Sequence, residues 1–255
     1  MRKIDWPAEI DRIIDFIRDY LANSGWHKLI LGLSGGVDSA VAAALAAKAI
    51  DKKNVIAVMM PYKNSHPDSL DDAVTLAKQL GIEYQVRDIT AMTDAYFDTF
   101  EPTATALRRG NWMARTRMCV LFDLSSKLQA LVLGTSNKTE LMVGYFTQFG
   151  DSACALEPIG HLYKSEVWQL ARLLDIPKTI VKKVPSADLW EGQSDEADLG
   201  MRYQELDEIL YELLESNIDV QAPARLSHPR ELYDKVERMI SRSAFKRNMP
   251  PILLG

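Results

Sequence analysis

The amino-acid sequence predicts an α/β fold: a doubly wound parallel sheet with helices on both faces, followed by a helical C-terminal part. Two observations carry this expectation. Short apolar runs alternate with longer stretches whose apolar residues recur at helical spacing, which implies right-handed strand–helix–strand crossovers. The first run also leads directly into a double glycine and an alanine-rich stretch, so Leu29 to Ala47 reads as strand, tight loop and helix.

Residues 7–23 carry Ile10, Ile13, Ile14, Ile17 and Leu21 with charges between them, an amphipathic helix that covers one face of the core. Leu29 to Leu33 is the first buried strand, and Val37 to Ala47 is the helix after it. Asn54 to Met60 is the second strand, ended by Pro61. Asp68 to Leu80 returns as a helix through Leu70, Ala73, Val74, Ala77 and Leu80, with Gly81 as its stop. Glu83 to Ile89 reads as a third strand. The helical pattern of Met113 to Leu128 leads into a fourth, Ala130 to Leu133, whose carboxyl end is expected beside that of the Leu29 strand. Gly144 to Gly160 has weak periodicity and reads as a loop able to close over a ligand. From Lys164 the chain is mostly helical, through Ser165 to Leu174, Tyr203 to Leu214 and Pro229 to Ser241. The organisation expected is one domain over residues 1–255, with 200–255 as its helical C-terminal part.

A chain of 255 residues with 47% hydrophobic and 25% charged residues can bury a substantial core. Its net charge of −5 argues against a nucleic-acid surface. No apolar run approaches the roughly 20 residues that span a bilayer. Acidic residues stand where a signal peptide would have its apolar stretch, so no membrane association and a cytoplasmic location are expected. Cys119 and Cys154 are too few and too far apart for a disulfide framework or a CxxC metal site. Cys119 is expected in the core, and Cys154 has no assigned role.

The loop Ser34-Gly35-Gly36-Val37-Asp38-Ser39 carries the clearest chemistry. Two glycines let backbone amides approach a ligand, and the helix start behind them favours an anion, most often phosphate. The loop lacks the lysine that G-x-x-x-x-G-K-[ST] demands, and a carboxylate stands in its place. Beside phosphates an aspartate is tolerable when a divalent cation lies between, which makes Asp38 a candidate magnesium ligand.

Seven motifs follow in order: GLSGGVDS from Gly32, ARTRM from Ala114, GTSNKTE from Gly134, GYFTQFGD from Gly144, LYKSEVW from Leu162, PSADLWEGQSDE from Pro185 and KRNMPP from Lys246. Together they resemble the ammonia-dependent NAD synthetase family of the ATP-pyrophosphatase (PP-loop) superfamily, nearest its shorter, archaeal-like branch. The resemblance implies a Rossmann-like sheet of the adenine nucleotide alpha hydrolase type. It implies a ligase that uses ATP to adenylate the nicotinate carboxylate of deamido-NAD, after which ammonia displaces AMP. It also implies magnesium held by Asp38 and Glu140, with Lys164 beside them, and ATP bound by Gly32, Leu33, Ser34, Gly35, Gly36, Val37, Asp38, Ser39, Thr135, Lys164 and Ser186. Arg115 and Lys246 match contacts to deamido-NAD, whereas Arg117 fits an internal salt bridge equally well. By the same resemblance the protein is a homodimer. Ammonia is unprotonated to only a small extent at neutral pH, so a partner that delivers it, such as a glutaminase, would help.

Three positions depart from the family pattern, and all three face deamido-NAD in it. Gln148 stands where lysine is usual, Ala155 where aspartate is usual and Phe245 where histidine is usual. Ser152 replaces a common glycine in the same loop. These departures raise a second reading, an AMP-forming amide or amine ligase acting on another carboxylic acid.

Overall fold

A computed structural model describes residues 2–190, 192–216 and 226–253. Glu191 in the PSADLWEGQSDE motif and residues 217–225 of the expected helical part lie outside the described residues. Four parallel strands, β1 (Leu29–Gly32), β2 (Val55–Met59), β3 (Glu83–Val86) and β4 (Leu131–Val132), lie in the order β3-β2-β1-β4. The chain runs outward from β1 to β3 and then crosses back to place β4 on the other side of β1. The direction of winding therefore reverses between β1 and β4, and it is outside the carboxyl ends of such a pair that ligands bind in open α/β sheets.

Helices cover both faces. Alternate residues of the strands point to opposite sides. Leu29, Leu31, Leu33, Val55, Ala57 and Met59 enter the larger core, with α1 (Trp6–Ser24), α2 (Val37–Ala49), α3 (Pro67–Leu80), α7 (Lys164–Leu173) and α8 (Lys178–Val181). Ile30, Ile56, Val58 and Val132 face α5 (Ala106–Leu128) through Leu121, Leu124 and Leu128. Nearly all of α2 is buried, as expected of a helix apolar all round. Its alanines let neighbouring backbones approach closely. A smaller core joins α10 (Tyr203–Leu214) and α11 (Arg230–Ser243) to α6 (Lys138–Val143), with Tyr163, Leu199, Tyr203 and Tyr233 buried in it.

Several boundaries differ from the sequence expectation. β3 is shorter, ends at Val86 and leaves Tyr84 and Val86 exposed on an edge, although Arg87 and Ile89 still donate backbone bonds to Met59 and Pro61. α4 (Thr90–Phe100) was not expected, although Ile89, Thr93 and Phe97 are buried at four-residue spacing. α5 begins at Ala106 instead of Met113, capped by Thr105. Its first turns expose Leu107, and Trp112 stacks on Tyr96 of α4 at 3.9 Å. Cys119 is exposed, not in the core, because the core-facing side of α5 passes through Met113, Ala114 and Leu124. The segment from Gly144 to Gly160, expected as a closing loop, is bracketed in place. Thr147 donates to Asn111 of α5 (2.8 Å), Ala155 N–H donates to Val132 O, and Gly134 N–H donates to Leu156 O, which extends the sheet beyond β4.

Candidate active site

The crevice outside β1 and β4 is built from two turns. After β1, Gly35 adopts φ +79°, and a Cβ there would lie 2.2 Å from the carbonyl oxygen of Ser69. Only glycine fits that approach. Ser39 Oγ donates to Gly36 O (3.0 Å) and receives Ser34 N–H (3.2 Å), closing the loop on itself. Gly36 is the N-cap of α2 and makes no side-chain cap bond, so the first amides of this helix face the crevice as an anion-binding end. Leu33 is buried, its N–H bonded to Val58 O, and Gly32 and Val37 are structural members of the same turn.

The turn after β4 carries Thr135, partly buried, and then Asn137, which caps α6. The Asn137 side chain accepts from Glu140 N–H (3.0 Å), and the Asn137 backbone N–H donates to the Glu140 carboxylate (3.4 Å). Such a reciprocal cap fixes both side chains. Asn137 Nδ2 also donates to Asp38 Oδ1 (2.8 Å). Lys164, 3% exposed at the start of α7, donates to Asp38 Oδ2 (2.5 Å) and Glu140 Oε1 (3.1 Å). Its ammonium also sits 4.9 Å from the ring centre of Tyr203. Asp38, Glu140 and Lys164 thus meet at one point, as the two-loop geometry requires.

Electrostatically, one cation is shared among carboxylates. Burial pushes Glu140 up, to about 8; Lys164 pulls it down, and the Asp38 charge adds to the rise. Desolvation works against the Lys164 charge, but Asp38 and Glu140 outweigh it and hold the ammonium above its ordinary value. Asp195, on α9 (Asp195–Leu199), adjoins the cluster. It accepts from Tyr145 and Tyr203 hydroxyls (both 3.1 Å) and from Ala187 N–H (3.1 Å), and burial raises it. Ser186, next to Ala187, is exposed and accepts from Asp188 N–H (3.1 Å), so it lies on the strap that Asp195 ties to the cluster.

The other expected contacts gather elsewhere. Lys246, in a 3-10 turn at Ala244–Arg247, donates to Gly144 O (2.8 Å) and Phe146 O (2.9 Å). It lines a groove of about 510 Å³ with Lys138, Met142, Phe146, Glu157 and Arg247. Burial lowers Lys246, Asp151 raises it, and the exposed Arg115 charge lowers it further. Phe245 is 63% exposed beside it, and Gln148 is partly buried in the preceding loop. Ala155 packs against the main apolar core at the sheet edge. Among the described residues Arg117 makes no salt bridge, and it donates to Met60 O (3.0 Å). Asp38, Glu140 and Lys164 therefore converge, while of the residues expected to face the acid only Lys246 lines the groove.

Asn137, Asp195, Tyr203 and Glu157 were missed by sequence reasoning. An N-x-x-E capping signal at Asn137 was readable, and Asp195 lies within the PSADLWEGQSDE motif without having been singled out; Tyr203 and Glu157 had no such signal.

Sheet order, glycine turn and the carboxylate pair at the switch point define a protein of the PP-loop fold. A sequence profile described as NAD synthase matches residues 9–250, and the chain belongs to the NAD synthase family. Membership makes it a ligase that forms a carbon–nitrogen bond. It is 51% identical over 242 residues to an NH(3)-dependent NAD(+) synthetase of Fusobacterium nucleatum, covering 95% of this chain and 93% of that one. It is 50% identical to the enzyme of that name from Chlorobaculum parvum over 98% of this chain and 90% of the other. Among solved structures, an NMN synthetase from Francisella tularensis superposes with a TM-score of 0.87 at 31% identity, covering 98% and 99% of the two chains. An NH3-dependent NAD synthetase from Campylobacter jejuni gives 0.84 at 35% identity, covering 99% and 100%.

Proposed function

We propose that this chain is an ammonia-dependent NAD synthetase that adenylates the carboxylate of deamido-NAD with ATP and lets ammonia displace AMP. The observation that carries the reading is the convergence of Asp38, Glu140 and Lys164 at one point beside the start of α2. Attack of a carboxylate on an α-phosphate builds charge on phosphate oxygens, and the protein answers with fixed donors and cations. The α2 amides and Ser34, Gly35, Gly36 and Ser39 cradle the pyrophosphate. Thr135 and Ser186 contact the nucleotide. Lys164 neutralises developing negative charge, and Arg115 and Lys246 hold the acid at the groove.

In this structure the two carboxylates share the Lys164 ammonium; as hard oxygen donors they also fit Mg2+, which takes one or two carboxylates together with substrate phosphates. Asp38 and Glu140 would hold it, and when bound it neutralises phosphate charge. No protein nucleophile is needed, because the attacking groups are the substrate's carboxylate and ammonia; the chain positions them and excludes water. Purified protein given ATP, Mg2+, ammonium and deamido-NAD should yield NAD, AMP and pyrophosphate, with activity lost in EDTA. No product at high enzyme and ammonium concentration overturns the reading.

A second reading keeps the chemistry and shortens the acid. Gln148, Ala155 and Phe245 depart where the acid is read to bind, and one structural neighbour is an NMN synthetase. Competition between deamido-NAD and nicotinate mononucleotide decides it, since preferential amidation of the mononucleotide favours the second. Family resemblance further supports a homodimer, the acidic N-terminal stretch a cytoplasmic location, and the small unprotonated fraction of ammonia at neutral pH a glutaminase that supplies it. Light scattering of the purified protein checks the dimer, and a monomer at assay concentration counts against it.

A further inference from the structure

Glu140 and Lys164 stand near the starts of α6 and α7, and α7 begins inside the protein. A buried helix start leaves its first amide N–H groups without acceptors in the helix, and a dry interior must provide them. Here other elements do so. Lys164 N–H donates to Thr139 Oγ on α6 (3.0 Å), and Ser165 N–H donates to Asp207 Oδ2 on α10 (2.7 Å). The Thr139 hydroxyl in turn donates to Asp207 Oδ1. Thr139 and Asp207 are both fully buried. One carboxylate therefore ties the residue before Glu140 to the residue after Lys164. Tyr203, one turn earlier on α10, reaches the Glu140 and Lys164 side chains themselves.

We infer that Asp207 is a positioning residue of the active site: through Thr139 and the Ser165 amide it sets the spacing at which the Lys164 ammonium lies between Glu140 and Asp38. The inference rests on the adenylating role proposed above. The Thr139 hydroxyl can accept from Lys164 N–H with its own proton turned away because Asp207 takes that proton. A valine at 139 keeps the shape and strands a buried amide on one side and a carboxylate oxygen on the other, whereas serine keeps the relay. Asparagine at 207 matches the size but brings an N–H toward one of two groups that both need an acceptor.

The test compares kcat, KM and melting temperature of Thr139→Val, Thr139→Ser, Asp207→Asn and the double variant Thr139→Val/Asp207→Asn. A misplaced catalytic group costs up to about 100-fold, so Thr139→Val and Asp207→Asn are each expected to lower kcat by about 10- to 100-fold. Thr139→Ser should stay within about threefold of wild type. The double variant should lose no more than the worse single one, because both break one linkage. An unchanged kcat in folded Thr139→Val, or losses that multiply, overturns the inference. If Thr139→Val does not fold, Asp207→Asn against Thr139→Ser gives the same contrast. MgATP binding by calorimetry separates this from the choice of acid. If the wild type binds MgATP yet does not amidate deamido-NAD, the acid is wrong and the relay is read on affinity. In that case Thr139→Val must weaken binding and Thr139→Ser restore it, and equal affinities overturn it.

Discussion

The Lys164 ammonium, 3% exposed, stays charged because two carboxylates lie within 3.1 Å of it. Removing the charge alone leaves the Asp38 carboxylate without its cation and drives Glu140, already raised, to take up a proton. Lys164→Met is expected to destabilise by roughly 3 kcal/mol in urea unfolding. Adding Glu140→Gln should cost little more, because burial and the Asp38 charge hold Glu140 protonated once Lys164 no longer pulls it down, and strict additivity would count against shared charge. Both variants should lose turnover. Glu157 offers a pH measurement. Its carboxylate lies against Gly134, accepts Ser136 N–H (3.0 Å) and the Cys154 thiol (3.3 Å), and burial pushes it up to about 7 from the usual 4.5. The folded state holds this proton more tightly than the unfolded chain, so the contribution to stability is full below about pH 4.5 and is lost as pH rises through 7. Glu157→Gln removes that dependence. Its melting temperature relative to wild type should improve as the pH is raised through neutrality, and a constant difference refutes the assignment.

At the scale of elements, the loop before α2 is the most exacting. Gly35→Ala would have to hold a left-handed residue, at about 1–2 kcal/mol, and push its Cβ into the Ser69 carbonyl. The variant should fold less stably and bind ATP weakly; unchanged affinity by calorimetry would show that the turn can relax. The elements read most faithfully from sequence were those with long apolar faces. α10 appears with the expected bounds, Tyr203–Leu214, and α1 within one residue at each end. α4 and α6 were not foreseen. α6 has six residues, too few for a periodic pattern, and is held by its cap and by contacts to α10 and α11. The first turns of α5 expose Leu107 and carry no apolar face, so their helicity comes from the Thr105 cap and the Trp112–Tyr96 stack.

Across the whole molecule, β1 and β2 are paired on both sides and buried, whereas β3 is an edge with exposed side chains. Amide hydrogen exchange should be slowest in β1, β2 and α2 and faster in β3; equal protection would mean that the sheet opens as one unit. The residues alone specified the alternating fold and the double-glycine turn with Asp38, because period-two and helical patterns and paired glycines are local in the chain, while Glu140 and Lys164 were reached through the resemblance of the ordered motifs to a known family. Contacts in three dimensions alone placed Asp207, Tyr203 and Asp195 around that trio, separated the groove at Lys246 from it, and fastened Gly144 to Gly160 onto the sheet. Burial and hydrogen-bond partners depend on which distant segments meet, and no stretch of sequence records that meeting.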